Sequence, residues 1–74
     1  MKEFAKLLTV DVAFDDITDE LQEKLENDLE TVVRNFMVKA GINAEPTEWA
    51  FTFSEVLHSN VTNAAVVCKW EDNQ

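Results

Sequence analysis

From Asp19 to Gly41 the apolar residues Leu21, Leu25, Leu29, Val32, Val33, Phe36, Met37 and Ala40 step by three or four. On a 3.6-residue period they make one continuous stripe over about five to six turns, the pattern of an amphipathic helix lying on another element. The stripe has a defined start and stop. Thr18 can accept a bond from a first-turn N–H, Asp19 and Glu20 suit the positive end of the helix dipole, and Gly41 is a natural C-terminal stop. The helix is therefore expected to begin near Asp19.

A helix with one dry face needs a second layer to cover it, and the flanking segments read as strands. From Phe4 to Phe14, the residues Phe4, Leu8, Val10, Val12 and Phe14 fall on one parity, with Lys6 the only exception, while Thr9, Asp11 and Asp15 fall on the other. Asp15 and Asp16 end the alternation. After a connection from Ile42 to Thr47 that contains Pro46, a second strand alternates Trp49, Phe51, Phe53 and Leu57 with Ala50, Thr52 and Ser54. A third run, Ala64 to Trp70, is apolar on both parities except at Lys69, as expected of a central strand. Pairing the last two runs about a turn near Ser59 and Asn60 sets Trp49 opposite Trp70, Phe51 opposite Cys68 and Phe53 opposite Val66. A loop two residues longer preserves the parity, so the register stays open.

The order strand, helix, strand, strand, with a right-handed crossover and a hairpin, gives an α+β fold: β-α-β-β, one helix packed on a three-stranded antiparallel sheet of order 1-3-2. The expected unit is a single small domain, residues 1–74. Its topology is similar to the first two-thirds of a ferredoxin-like split unit, a likeness that carries no function.

Charge then narrows what such a domain can bind. Fifteen Asp and Glu against six Lys and Arg give a net charge of -9, which excludes the cationic footprint that nucleic acid or an anionic membrane surface requires. With 46% hydrophobic residues, one Gly and one Pro, the chain is too apolar for a disordered acidic tail and too poor in loop residues for a disulfide-stapled miniprotein. Met1 to Lys6 leads into at most a broken apolar stretch before Asp11, and no long apolar run follows. The single Cys68 cannot form an internal disulfide, and the sequon Asn60-Val61-Thr62 has no meaning without secretion. The expected location is the cytoplasm.

Chemistry finds few footholds. A thiol nucleophile would need Cys68 beside His58, yet Cys68 lies on the core parity and His58 at the hairpin end, so a buried cysteine and a turn histidine account for both. Asp11, Asp15, Asp16, Asp19 and Glu20 crowd the strand-to-helix junction, but they lack the spacing and the Gly of a calcium loop, and acids stabilise that end of a helix in any case. The expectation is no catalytic set, no cofactor and no metal, hence no enzyme.

Two surfaces remain. Asp15, Asp16, Asp19, Glu20, Glu23, Glu26, Asp28 and Glu30 put eight acids into sixteen positions with only Lys24 opposing them, and Glu20, Glu23 and Glu30 lie opposite the apolar stripe. Like charges three and four apart cost a few tenths of a kcal/mol each, so the strip is mildly wasteful for stability and suits use as a partner-binding surface: Asp15, Asp16, Asp19, Glu20, Glu23, Glu26 and Glu30. The sheet face away from the helix collects Ala5, Leu7, Thr9, Ala13, Ala50, Thr52, Ser54, Val56, Ala65 and Val67, with only Asp11 and Lys69 charged. Such a flat face suits a homodimer through Leu7, Thr9, Thr52, Val56, Ala65 and Val67. In size and charge the chain resembles the small acidic modulators that phages and mobile elements encode against host nucleic-acid enzymes, DNA mimics among them. That resemblance implies an inhibitor that occupies a basic surface on a partner protein; the alternative is a homo-oligomeric structural or accessory subunit.

Overall fold

The computed structural model describes residues 1–71, so the last three residues of the expected 1–74 unit lie outside it. The elements are β1 (Lys2–Val10), a short 3-10 turn (Phe14–Asp16), α1 (Asp19–Lys39), β2 (Pro46–Glu55) and β3 (Thr62–Trp70). The sheet order is β1-β3-β2, both pairings antiparallel, with α1 on one face. This is the α+β arrangement expected from the periodicities.

The helix is bounded by the two signals that the sequence carries. Thr18 is its N-cap, in extended backbone, and its Oγ1 accepts a 3.1 Å bond from the Leu21 amide. At the other end Gly41 takes φ +73°, and the Gly41 and Ile42 amides donate back to the Val38 and Met37 carbonyls. A side chain at Gly41 would meet no neighbour, so backbone conformation alone selects glycine there.

Burial is centred on β3. Its alternate residues Thr62, Ala64, Val66, Cys68 and Trp70 are buried, against Leu29, Val33 and Met37 of the helix. Phe4, Leu8, Val10, Trp49, Phe51 and Phe53 flank this centre from the two outer strands and are only half-buried. The helix approaches β3 and β1 most closely and leaves β2 to one side. On the β1 side Phe36 stacks on Phe4, ring centroids 4.1 Å apart, with Phe36 itself still exposed.

Several details depart from expectation, each because of an identifiable contact or turn. β1 stops at Val10, because the chain then turns across the end of the sheet: the buried Thr62 hydroxyl donates to the Val12 carbonyl at 2.7 Å, fixing the turn. Phe14 consequently belongs to the 3-10 turn and is exposed instead of ending the strand's core row. The hairpin register is two residues away from the pairing first drawn, with Trp49 opposite Cys68, Phe51 opposite Val66 and Phe53 opposite Ala64. A six-residue loop, 56–61, turns at Leu57 and His58, where His58 takes φ 60°; Leu57 therefore leaves the strand and is 78% exposed. At the other end of β2 the register slips between Pro46 and Glu48, and the extra residue Thr47 donates its hydroxyl to the Lys69 carbonyl at 3.2 Å.

Leu29 has no exposed surface, whereas the Phe51 ring sits half-exposed on an edge strand. Leu29→Ala should cost about 2–5 kcal/mol, and Phe51→Ala less than Leu29→Ala, when both are measured by urea unfolding. The reverse ranking would move the centre of packing from β3 to β2.

Candidate functional site

The acidic surface is assembled by the turn that ends β1. Bonds from the Asp16 amide to the Ala13 carbonyl (2.9 Å) and from the Ile17 amide to the Phe14 carbonyl (3.3 Å) hold Asp15 and Asp16 on the 3-10 turn, which packs against β2. Thr18 then starts the helix, so Asp19 and Glu20 occupy its first turn and Glu23 and Glu26 follow. Asp15, Asp16, Asp19, Glu20 and Glu23 are exposed, and none is in an ion pair among the described residues. Asp19, Gln22, Glu23 and Glu26 line an open concavity of about 340 Å³. Gln22 Nε2 donates to Glu26 at 3.4 Å.

Further along the helix the charge is answered. Asp28 pairs with Lys24 Nζ at 2.8 Å, and Glu30 with Arg34 Nε at 3.0 Å. The Arg34 guanidinium also sits 5.5 Å from the centroid of the Trp49 ring. Glu30 therefore faces the β2 flank and is half-buried; it does not lie on the outermost line of the helix opposite the stripe. Because Leu25, Leu29, Val33 and Met37 are the buried row, stepping by four, the dry face drifts around the helix and carries Glu26 and Glu30 to the flank. The free acids are thus concentrated on the N-terminal half of α1 and the turn before it. The Glu30–Arg34 spacing was legible as an i,i+4 pair, but the contact with Trp49 depends on how the helix is rotated over the sheet, which periodicity does not fix.

The second surface is the open sheet face. Three rows cross all three strands: Ala5, Val67 and Ala50; Leu7, Ala65 and Thr52; Thr9, Asn63 and Ser54. A fourth row at one end is charged, with Glu3 beside Lys69 and Lys69 Nζ 3.3 Å from Glu48. Thr9 donates to Asn63 Oδ1 at 3.0 Å across the opposite end. Of the expected contact residues, Leu7, Thr9, Thr52, Ala65 and Val67 share this face, whereas Val56 falls in the loop after β2, and Asp11 and Ala13 fall beyond the end of β1. Leu7 is 56% exposed and is the largest apolar side chain in the three rows.

The single cysteine and histidine are kept apart. Cys68 is six residues along β3 from its first residue, so the strand alone puts about 20 Å between it and the hairpin end where His58 turns. Among the described residues no group of His, Cys, Asp and Glu could hold a metal ion, and no helix is long and apolar enough to cross a membrane. Comparison with known protein families, with curated proteins and with solved structures finds no match to this chain.

Burial pushes the Cys68 thiol above the usual thiol range, a shift opposed by the Arg34 guanidinium and reinforced by the Glu30 carboxylate. A raised pKa in the folded chain means that its contribution is intact below the unfolded thiol's value and is lost as pH climbs past it. Wild type should therefore lose stability relative to Cys68→Ala between about pH 8 and pH 10. Urea midpoints for the two chains at each pH check this, and parallel curves would mean that water reaches the thiol.

Proposed function

We propose that this chain is a small acidic protein-binding modulator of the cytoplasm, one that occupies a basic, nucleic-acid-binding surface of a partner protein and performs no chemistry itself. The observation that carries this reading is the set of unpaired acids from Asp15 to Glu23, exposed and drawn to one end of the molecule. Glu20, Glu23 and Glu26 climb the helix in steps of about 4.5 Å, the same order as the 3.4 Å axial spacing of phosphates along one DNA strand. A surface built to hold phosphates would meet charges at a comparable pitch, as it would on a DNA mimic of phage or mobile-element origin. Maintaining the like-charge series costs helix stability, and neither Lys24 nor Arg34 relieves its N-terminal half.

The open sheet face supports a second reading, a homo-oligomeric accessory subunit joined through Leu7, Thr9, Thr52, Ala65 and Val67. Its magnitude tells against it. Three strands about 4.8 Å apart and nine or ten residues long present a face of about 400 Å², near half of what one partner contributes to a standard interface. A dimer resting on this face alone would be weak.

Two measurements separate the readings. For a basic partner co-purified from the native cells, the combined variant Asp19→Asn, Glu20→Gln, Glu23→Gln should bind at least about tenfold more weakly at low salt, chiefly through slower association. Raising ionic strength should erase most of the wild-type advantage, since exposed charges are screened beyond about 8 Å at physiological salt. Equal affinities for wild type and the combined variant at low salt would end the acidic-surface reading. For the sheet face, Ala65→Arg should leave the chain folded, and the homodimer predicts that it also lowers the sedimentation coefficient; a wild type that sediments as a monomer at high micromolar concentration removes that alternative.

A further inference from the structure

The two outer strands are not equally protected. Among the described residues nothing pairs with the outer edge of β1 or of β2. Folded sheets guard such edges with charge, proline, bulges or an inward-pointing charged side chain, because a bare edge is a template for another strand. β1 carries Lys2, Glu3 and Lys6, and Lys6 stands on the helix-facing parity opposite Val66. β2 has Pro46, the bulge at Thr47 and Glu48 at its start and Glu55 at its end; the six residues between, Trp49 to Ser54, contain no charge, proline, glycine or bulge. Both flanks hold half-buried apolar side chains, but α1 approaches β1, where Phe36 stacks on Phe4, more closely than β2, which the 3-10 turn meets instead.

What covers that flank is indicated by charge and by a contact already present. At the Trp49 end, Arg34 lies over the indole ring while pairing with Glu30, so a cation is held between an aromatic face and a carboxylate. The Phe4–Phe36 and Trp49–Arg34 contacts put the helix C-terminus over the starts of β1 and β2, so α1 runs opposite to β2. From Arg34 back to Glu26 the helix travels about 12 Å, and from Trp49 to Phe53 the strand travels about 13 Å. By axial rise Phe51 and Phe53 stand level with Glu30 and Glu26, with Glu23 one turn further, and among the described residues neither Glu23 nor Glu26 is in an ion pair.

We infer that the edge of β2 from Trp49 to Ser54 receives an extended basic segment of the partner protein as an added strand, its alternate Lys or Arg side chains lying over Phe51 and Phe53 and reaching Glu26 and Glu23. The added backbone pairs with the free edge, the aliphatic stems cover the rings and the charged heads meet the acids. A second copy of this chain in the same place would instead bring another net charge of -9 and set the two acidic flanks against each other. The inference rests on the acidic-surface reading and gives it a binding mode.

The probe is a capped peptide of five Lys-Val repeats, titrated into the full chain at low salt and followed by amide NMR shifts, against the same peptide with its central Val replaced by Pro, which removes a donor and the extended pairing. Expected are shifts concentrated in residues 49–55, binding about tenfold weaker for the Pro peptide, and a similar loss for the exposed-flank variant Glu23→Lys with Glu26→Lys. Phe53→Ala should weaken the Lys-Val peptide while leaving the helix signals folded. Equal binding of both peptides overturns strand addition and leaves the acidic reading standing. Shifts confined to β1 or the open sheet face overturn the site. No binding of either peptide fails both readings, and concentration-dependent shifts at 49–55 without peptide would give the edge to a second copy and overturn the inference.

Discussion

The fold depends on one row of side chains: Thr62, Ala64, Val66, Cys68 and Trp70, every second residue of β3, closed off from water by Leu29, Val33 and Met37 of the helix. β3 can be buried in this way because it is hydrogen-bonded on both edges, leaving its backbone with no need of solvent. Small residues in the row are part of the solution. Ala64 and Cys68 let the helix approach, while Val66 and Trp70 fill the space to either side. The one polar member, Thr62, is tolerated because its hydroxyl reaches the Val12 carbonyl, and that bond also determines where β1 ends.

Central position, helix limits and strand order were legible because each follows from a local signal of long reach. Ala64 to Trp70 is apolar on both parities; Thr18 and Gly41 bracket a stripe too long to mistake; and the crossover rule orders the strands. What was not legible depends on single long-range contacts. Val12 and Phe14 continue the alternation of β1 perfectly well, and only the Thr62 hydroxyl, fifty positions away, explains why the strand stops short of them. The hairpin register is similar: a loop of either length keeps Trp49, Phe51 and Phe53 on the core side, and the choice turns on His58 adopting a left-handed conformation that its sequence context does not advertise. Of the candidate surfaces, the acids from Asp15 to Glu23 and the rows around Val67 could be read directly, while the burial of Glu30 and the exclusion of Val56 could not.

Electrostatics divides the helix into two halves with different work. From its middle onward the acids are consumed internally, Asp28 by Lys24 and Glu30 by Arg34, and Arg34 also covers the Trp49 ring. Exposed pairs of this kind contribute little to stability, but the Arg34 contact positions a long side chain over an aromatic surface that would otherwise face water. Toward its N-terminus Lys24 is engaged by Asp28 and leaves Asp19, Glu20 and Glu23 without an ion pair among the described residues, and the turn that ends β1 adds two more acids to the same end. The potential is therefore lopsided by construction: the Arg34 end of the helix stands beside the start of β2, and the negative N-terminal turns lie toward its other end.

That asymmetry coincides with one in packing. A single helix is about 10 Å across with its side chains, whereas a three-stranded sheet spans about 14 Å, so one helix cannot cover both flanks equally. Here it sits toward β1, where Phe36 stacks on Phe4, and it stands further from β2. The radius of gyration, 13.8 Å, exceeds the roughly 11 Å of a compact chain of this length, as an extended, thin two-layer plate should. The half-buried rings of β2 and the uncompensated acids of α1 thus fall on the same side of the molecule, an apolar floor beside negative charge. Either feature alone is common on small domains; their coincidence along the unguarded middle of β2 distinguishes this surface from the open sheet face, whose charge is confined to one end row, where Lys69 is answered by Glu48.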